Sequence, residues 1–120
     1  MTIAYWILAT PLALFYLYSG TLKSARTKER LRPMMAWVDT VPLPAVRAIG
    51  TLELLGTAGL LLPPLTGVAP WLALLAAIGF TALQLLASAL HLHLGDRRIA
   101  LNAALFVTAA ATIWPATTWL

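Results

Sequence analysis

One carboxylate, Glu53, lies near the middle of the apolar stretch IGTLELLGTAGLLLPP, residues 49–64. An ionisable group in such a run is costly to keep away from water unless it is paired, protonated or hydrated, and it normally faces other helices. Partners for it can be found along the chain. Thr81, Gln84, Ser88 and His91 are separated by three, four and three residues, a spacing that puts them on one face of a helix. The remainder of that helix is Ala and Leu. Tyr16, Ser19 and Lys23 follow an i, i+3, i+7 pattern in an earlier apolar run, and Asn102 stands close to the start of a later one. The chemistry open to such a set is proton exchange by a Glu53–His91 pair. Tyr16, Ser19, Lys23, Arg47, Gln84, Ser88 and Asn102 would line a pocket for the polar part of a small lipophilic molecule.

A plainer alternative stands beside it. The same polar groups can hold helices together through interhelical hydrogen bonds, each contributing about 1 kcal/mol or less. A carboxylate is more expensive at depth than the Asn or Thr that would suffice for that task, which favours the pocket. Other chemistries are poorly supported. His91 and His93 are two residues apart, about 200° around a helix, and cannot both reach one metal ion. No metal site is expected: the chain has no cysteine, and two histidines alone do not make a structural zinc site. A haem would have His91 as its sole candidate ligand and is not expected either. There is no glycine-rich phosphate loop, and spacing supports no Ser–His–acid triad.

These residues must be positioned by elements that live in a bilayer. The sequence is 61% hydrophobic and 10% charged, against about a quarter charged in an average soluble chain. Its 120 residues form one domain without room for a second. Crossing about 30 Å of hydrocarbon takes roughly 20 apolar residues in a helix. Four segments meet that requirement: about residues 2–22, 46–62, 70–94 and 99–119. The expected fold is all-α, a polytopic membrane protein built as an antiparallel bundle of four transmembrane helices. The first segment has no basic flank before it and no small-residue cleavage site after it, so it reads as a span and not as a cleaved signal peptide. The second is expected to stop at Pro63-Pro64. The piece from Pro33 to Pro44 is too short and Pro-broken to span and reads as an interfacial segment. No low-complexity segment and no convincing internal repeat is apparent.

Charge sets the orientation. Lys23, Arg26, Lys28, Arg30, Arg32 and Arg47 flank the first connection, while Arg97 and Arg98 lie in the third. With four spans both regions fall on one side, and the positive-inside rule makes it the cytoplasmic side, with both termini outside. Trp6, Trp71, Trp114 and Trp119 fall at the expected outer ends, the headgroup level that indole prefers. The net charge of +4 is explained by these loops, and no nucleic-acid partner is expected.

The stretch RAIGTLELLGTAGLLLPPLTG, followed by APWLALLAAIGFTALQLLASALHLH, resembles the DoxX-like family of small four-helix membrane proteins. Members show an Arg, a Gly and a Glu in the second span, a Gly-Leu run ending in Pro, and an Ala-rich third span closing with His. SGTLK at residues 19–23 is similar to the family's ending of span one. The likeness covers most of the chain and is strongest from Arg47 to His91. It makes Lys23, Arg47, Glu53 and His91 the family-type residues. It also implies a place in a bacterial inner membrane among redox proteins, since DoxX-like proteins include subunits of thiosulfate:quinone oxidoreductase and membrane partners in oxidative-stress complexes.

Three functions are therefore open. The first is an accessory subunit that binds a small lipophilic molecule, with a quinone as the candidate, beside a redox-enzyme partner or in a homo-oligomer. The second is a stand-alone enzyme using Glu53 and His91 for isomerisation, cyclisation or epoxide opening. The third is a scaffold with no ligand beyond membrane lipids. The orientation is the most direct to test. A reporter fused to either terminus should read as extracytoplasmic and one inserted after Arg98 as cytoplasmic; a cytoplasmic C-terminus would overturn the assignment.

Overall fold

A computed structural model describes residues 2–25, 42–93 and 99–120. The described residues form four long helices: α1 (Thr2–Ala25), α2 (Leu43–Thr66), α3 (Leu72–His93) and α4 (Ala100–Ala116), the last continued by a 3-10 turn at Thr117–Trp119. Each is long and apolar enough to cross a membrane when the turn is counted with α4. At 1.5 Å per residue, a helix of 24 residues such as α1 is about 36 Å long, more than the hydrocarbon core requires. The helices pack as a ring, α1 on α2, α2 on α3, α3 on α4 and α4 back on α1.

Polarity is inverted relative to a water-soluble bundle. Leu14, Leu17, Leu52, Leu55, Leu62 and Leu86 are exposed on the outer surface, whereas Ser19, Glu53, Thr57, Gln84 and Thr112 are buried. Lipid is as apolar as leucine, so it is close packing that holds the helices together. The centre accordingly relies on alanine: Ala9, Ala13, Ala73, Ala77, Ala109 and Ala116 are fully enclosed. Tyr5, Leu12, Tyr16, Leu60 and Phe80 fill the space between them.

The span ends differ from expectation in informative ways. α1 runs three residues beyond Leu22, which brings Lys23 into its last turn. α2 does not stop at Pro63-Pro64 but continues through both to Thr66. Proline ends a helix mainly by removing an N–H and leaving the carbonyl four residues earlier without a partner. For Pro64 that carbonyl belongs to Leu60, and the buried Tyr5 hydroxyl of α1 donates to it at 2.6 Å. The helix then ends at Gly67, whose φ of 74° is left-handed, with its N–H bonded to the Pro63 carbonyl. Pro70 falls in the turn before α3 rather than in its first turn, accepting from the Ala73 N–H at 3.1 Å. Of the expected interfacial segment, residues 33–41 lie outside the described residues, and Leu43 and Pro44 belong to the first turn of α2. The basic residues between Arg26 and Arg32, with Arg97 and Arg98, also lie outside the described residues.

Tyr5→Phe should lower the unfolding free energy of the detergent-solubilised protein by about 1–3 kcal/mol, the effect of leaving a buried carbonyl unsatisfied. In a Pro64→Ala background the restored amide can take over that carbonyl, so the loss should shrink. Equal losses in both backgrounds would dissociate the hydroxyl from the proline.

Candidate functional site

The site begins at the crossing of α1 and α2. A Cβ on Gly20 would come within 2.9 Å of the Gly50 carbonyl oxygen, and a Cβ on Gly50 within 2.9 Å of the Gly20 carbonyl oxygen. The contact is reciprocal, and so is the sequence around it. Residues 20–23 read GTLK and residues 50–53 read GTLE. Thr21 bonds back to the Leu17 carbonyl, and Thr51 bonds back to the Arg47 carbonyl. Two matching tetrapeptides thus face one another across a local pseudo-two-fold axis, differing in the sign of the final charge.

That arrangement joins the charges. Helical side chains lean toward the N-terminus of their own helix. Because α1 and α2 are antiparallel, Lys23 leans from the end of α1 toward the middle of the bundle, and Glu53 leans to meet it. Lys23 Nζ lies 2.5 Å from Glu53 Oε1, with side-chain exposures of 12% and 1%. Arg47 Nη1 donates to the Lys23 carbonyl at 2.8 Å. It thereby satisfies one of the open carbonyls in the last turn of α1 and places a positive charge at the negative end of the helix. The second carboxylate oxygen, Glu53 Oε2, is buried without a hydrogen-bond partner among the described residues.

A second set crosses from α1 to α4. Gln84 of α3 donates through Nε2 to the Tyr16 hydroxyl, and Asn102 of α4 donates to Gln84 Oε1 at 3.0 Å. Receiving from Gln84 leaves the Tyr16 hydroxyl its own proton to donate. On its other side the Tyr16 ring stacks on Phe80 at 3.9 Å between centroids and 10° between planes. Phe80 can lie there because residue 56 is glycine: a Cβ would meet the Phe80 ring at 2.5 Å.

Of the residues singled out in the sequence, the structure joins Tyr16, Lys23, Arg47, Glu53, Gln84 and Asn102 into these two networks. Ser19 is buried on α1 beside Gly20. Ser88 and His91 are partly buried further along α3. The ion-pair partner of Glu53 is Lys23, in place of the expected His91. The register between α2 and α3 gives the reason. Gly59 faces Ala76 and Gly56 faces Phe80, so continuing in opposite directions brings Gln84 opposite residues 51–52 and His91 opposite residues 44–45. His91 is thus displaced from Glu53 by about 12 Å along the bundle at 1.5 Å per residue. Phe80 and the Gly20–Gly50 contact were missed. The GTLK and GTLE pair was the signal for the contact, too short to register as a repeat. No group of three or more His, Cys, Asp or Glu among the described residues could hold a metal ion.

A family model described as the DoxX-like family matches residues 7–112. The chain belongs to the DoxX-like family. The match takes in all four helices, and with them every residue of the two networks. No curated protein and no solved structure matches this DoxX-like chain.

Removing one partner of a buried ion pair costs about 3–5 kcal/mol, whereas replacing both with apolar residues can be nearly neutral. Glu53→Leu and Lys23→Met should therefore each lower stability in detergent by about that much, and the double variant should recover most of the loss. Additive losses would show that the pair does not act as one.

Proposed function

We propose that this DoxX-like protein is a membrane accessory subunit that binds the oxygenated head of a small lipophilic molecule beside Glu53, in the class of quinones and their reduced quinols. The observation that carries the reading is the buried Glu53 carboxylate, with one oxygen paired to Lys23 and the other without a hydrogen-bond partner among the described residues. A buried acceptor left unpaired is costly, and a ligand hydroxyl would supply the missing donor. Tyr16 and Asn102 add further hydrogen-bonding groups through Gln84, so a ring bearing two oxygens fits the donor set better than a simple alcohol or a hydrocarbon. Such a molecule would bring two-electron redox chemistry to the site. The chain's own part is to bind, orient and exchange a proton at Glu53. Electrons would pass to or from a redox-enzyme partner subunit.

The basic residues support, by the positive-inside rule, a head site toward the cytoplasmic side of a bacterial inner membrane with both termini outside. The stand-alone enzyme reading asks for His91 at the carboxylate and draws less support from a Glu53–Lys23 pair. Lys23 and Arg47 would hold the carboxylate end of the site, with His91 and Ser88 nearer its mouth.

Glu53→Gln keeps the shape of the side chain but removes the charge and the ability to take a proton. A hydrogen bond to a charged group contributes about 1.5–3 kcal/mol, so affinity of the purified protein for a short-chain hydroquinone should fall about tenfold or more. Complementation of a deletion strain under oxidative stress should fail at normal membrane abundance. Full binding and full complementation by Glu53→Gln would reduce Glu53 to a helix-packing residue.

A further inference from the structure

Phe80 has two faces, and the second one opens on the membrane. Its ring, 3% exposed, stacks on Tyr16 inside the bundle. On the outer side it closes the floor of a groove between α2 and α3, about 550 Å³ in volume. The groove is made by missing side chains: Gly56 and Gly59 on α2, Ala76 and Gly79 on α3, with Leu52 and Leu75 among its rims. It follows α3 from Leu72 to Leu86, about 21 Å at 1.5 Å per residue. That is most of the hydrocarbon thickness, along the direction in which lipid chains run.

We propose that this groove is the hydrocarbon-chain subsite for the amphiphile whose polar head meets Glu53, with Phe80 as the wall shared by the two halves. The inference rests on the head site proposed above and adds the class of ligand: an oxygenated ring carrying a long alkyl or isoprenoid chain. Three observations lead to it. Every lining residue is apolar, so the groove cannot recognise a head and suits only a chain. Its volume lies within the range of small-ligand sites, about 300–1,000 Å³. A helix is about 10–12 Å across and could only cover a groove between two packed helices, while a single chain can sink into it. Finally, the groove adjoins the polar set at the Phe80 ring, which lines the groove and stacks on Tyr16. Glu53 lies between groove residues Leu52 and Leu55 in sequence, and Gln84 follows Leu83 of the groove wall.

Gly79 supplies the test. It lines the groove, and a Cβ there meets nothing within 4 Å, so a larger side chain can enter without moving the fold. The probes are a decyl-substituted hydroquinone and the same hydroquinone with methyl in place of decyl, titrated against the full-length protein in nanodiscs. Gly79→Leu should weaken the decyl probe about tenfold and leave the methyl probe unchanged. Equal effects on both probes, or none on either, would overturn the subsite and leave the groove to bulk lipid. A decyl probe carrying a terminal alkyl diazirine gives an independent map: photo-adducts should fall on residues 72–86 of α3 and 52–59 of α2. Adducts concentrated on α1 and α4 would also overturn it. If Glu53→Gln leaves the methyl probe's binding intact, the head reading fails by itself, and the adduct map alone then decides the groove.

Discussion

A carboxylate enclosed among hydrocarbon side chains needs a cation within reach, and that cation must come from a backbone close enough for the two to touch. The rest of the bundle conforms to this condition. Gly20 and Gly50 are bare so that α1 and α2 can approach until each backbone oxygen meets the other glycine. The antiparallel arrangement turns the natural tilt of both side chains toward one another, so the ion pair forms without either chain bending back on itself. Arg47 then closes the end of α1 over it. A bundle held only by van der Waals contact could slide along its helix axes at little expense. One bearing a short-range charge pair beside a glycine crossing has a fixed register, and the network from Tyr16 through Gln84 to Asn102 carries that register into α3 and α4.

The opposite end of the bundle relies on a neutral device. Pro63 and Pro64 interrupt the hydrogen-bond ladder of α2, and the Tyr5 hydroxyl repairs the break at Leu60. Edge-to-face contacts join Tyr5, Trp6 and Trp119 around that point. A charge pair toward one end and an aromatic cluster at the other fasten α1 twice, with an alanine-lined interior between them.

The four spans were legible because length and apolarity suffice to mark a membrane helix. Glu53 stood out for the same reason, as an expensive exception in a cheap background. The family likeness was legible in the Arg-Gly-Glu pattern of α2 and is met by the match over residues 7–112. What escaped depends on relations between helices. Spacing within α3 grouped Gln84 with His91 correctly as one face but carried no information on how far α3 is shifted along α2, and that shift decides which of them lies level with Glu53. Lys23, grouped with Tyr16 and Ser19 by spacing, could not be assigned to the carboxylate until its direction of lean was known. The continuation of α2 past two prolines was hidden because the group that repairs it stands 55 residues away. Phe80 looked like one more apolar residue, and only the bare backbone of Gly56 gives it a role.

The pairing of GTLK with GTLE bears on how the chain enters a membrane at all. A charged residue at the centre of a lone helix opposes insertion by about 2.5–3.5 kcal/mol on translocon scales. Lys23, close to the end of α1, can extend its ammonium to the headgroups while it waits. Glu53 has no such recourse, being short and ten residues into its helix. α2 is therefore a poor passenger alone and a good one beside α1, whose lysine neutralises it as soon as the glycines meet. The unit that partitions into lipid is then the α1–α2 hairpin and not either helix by itself.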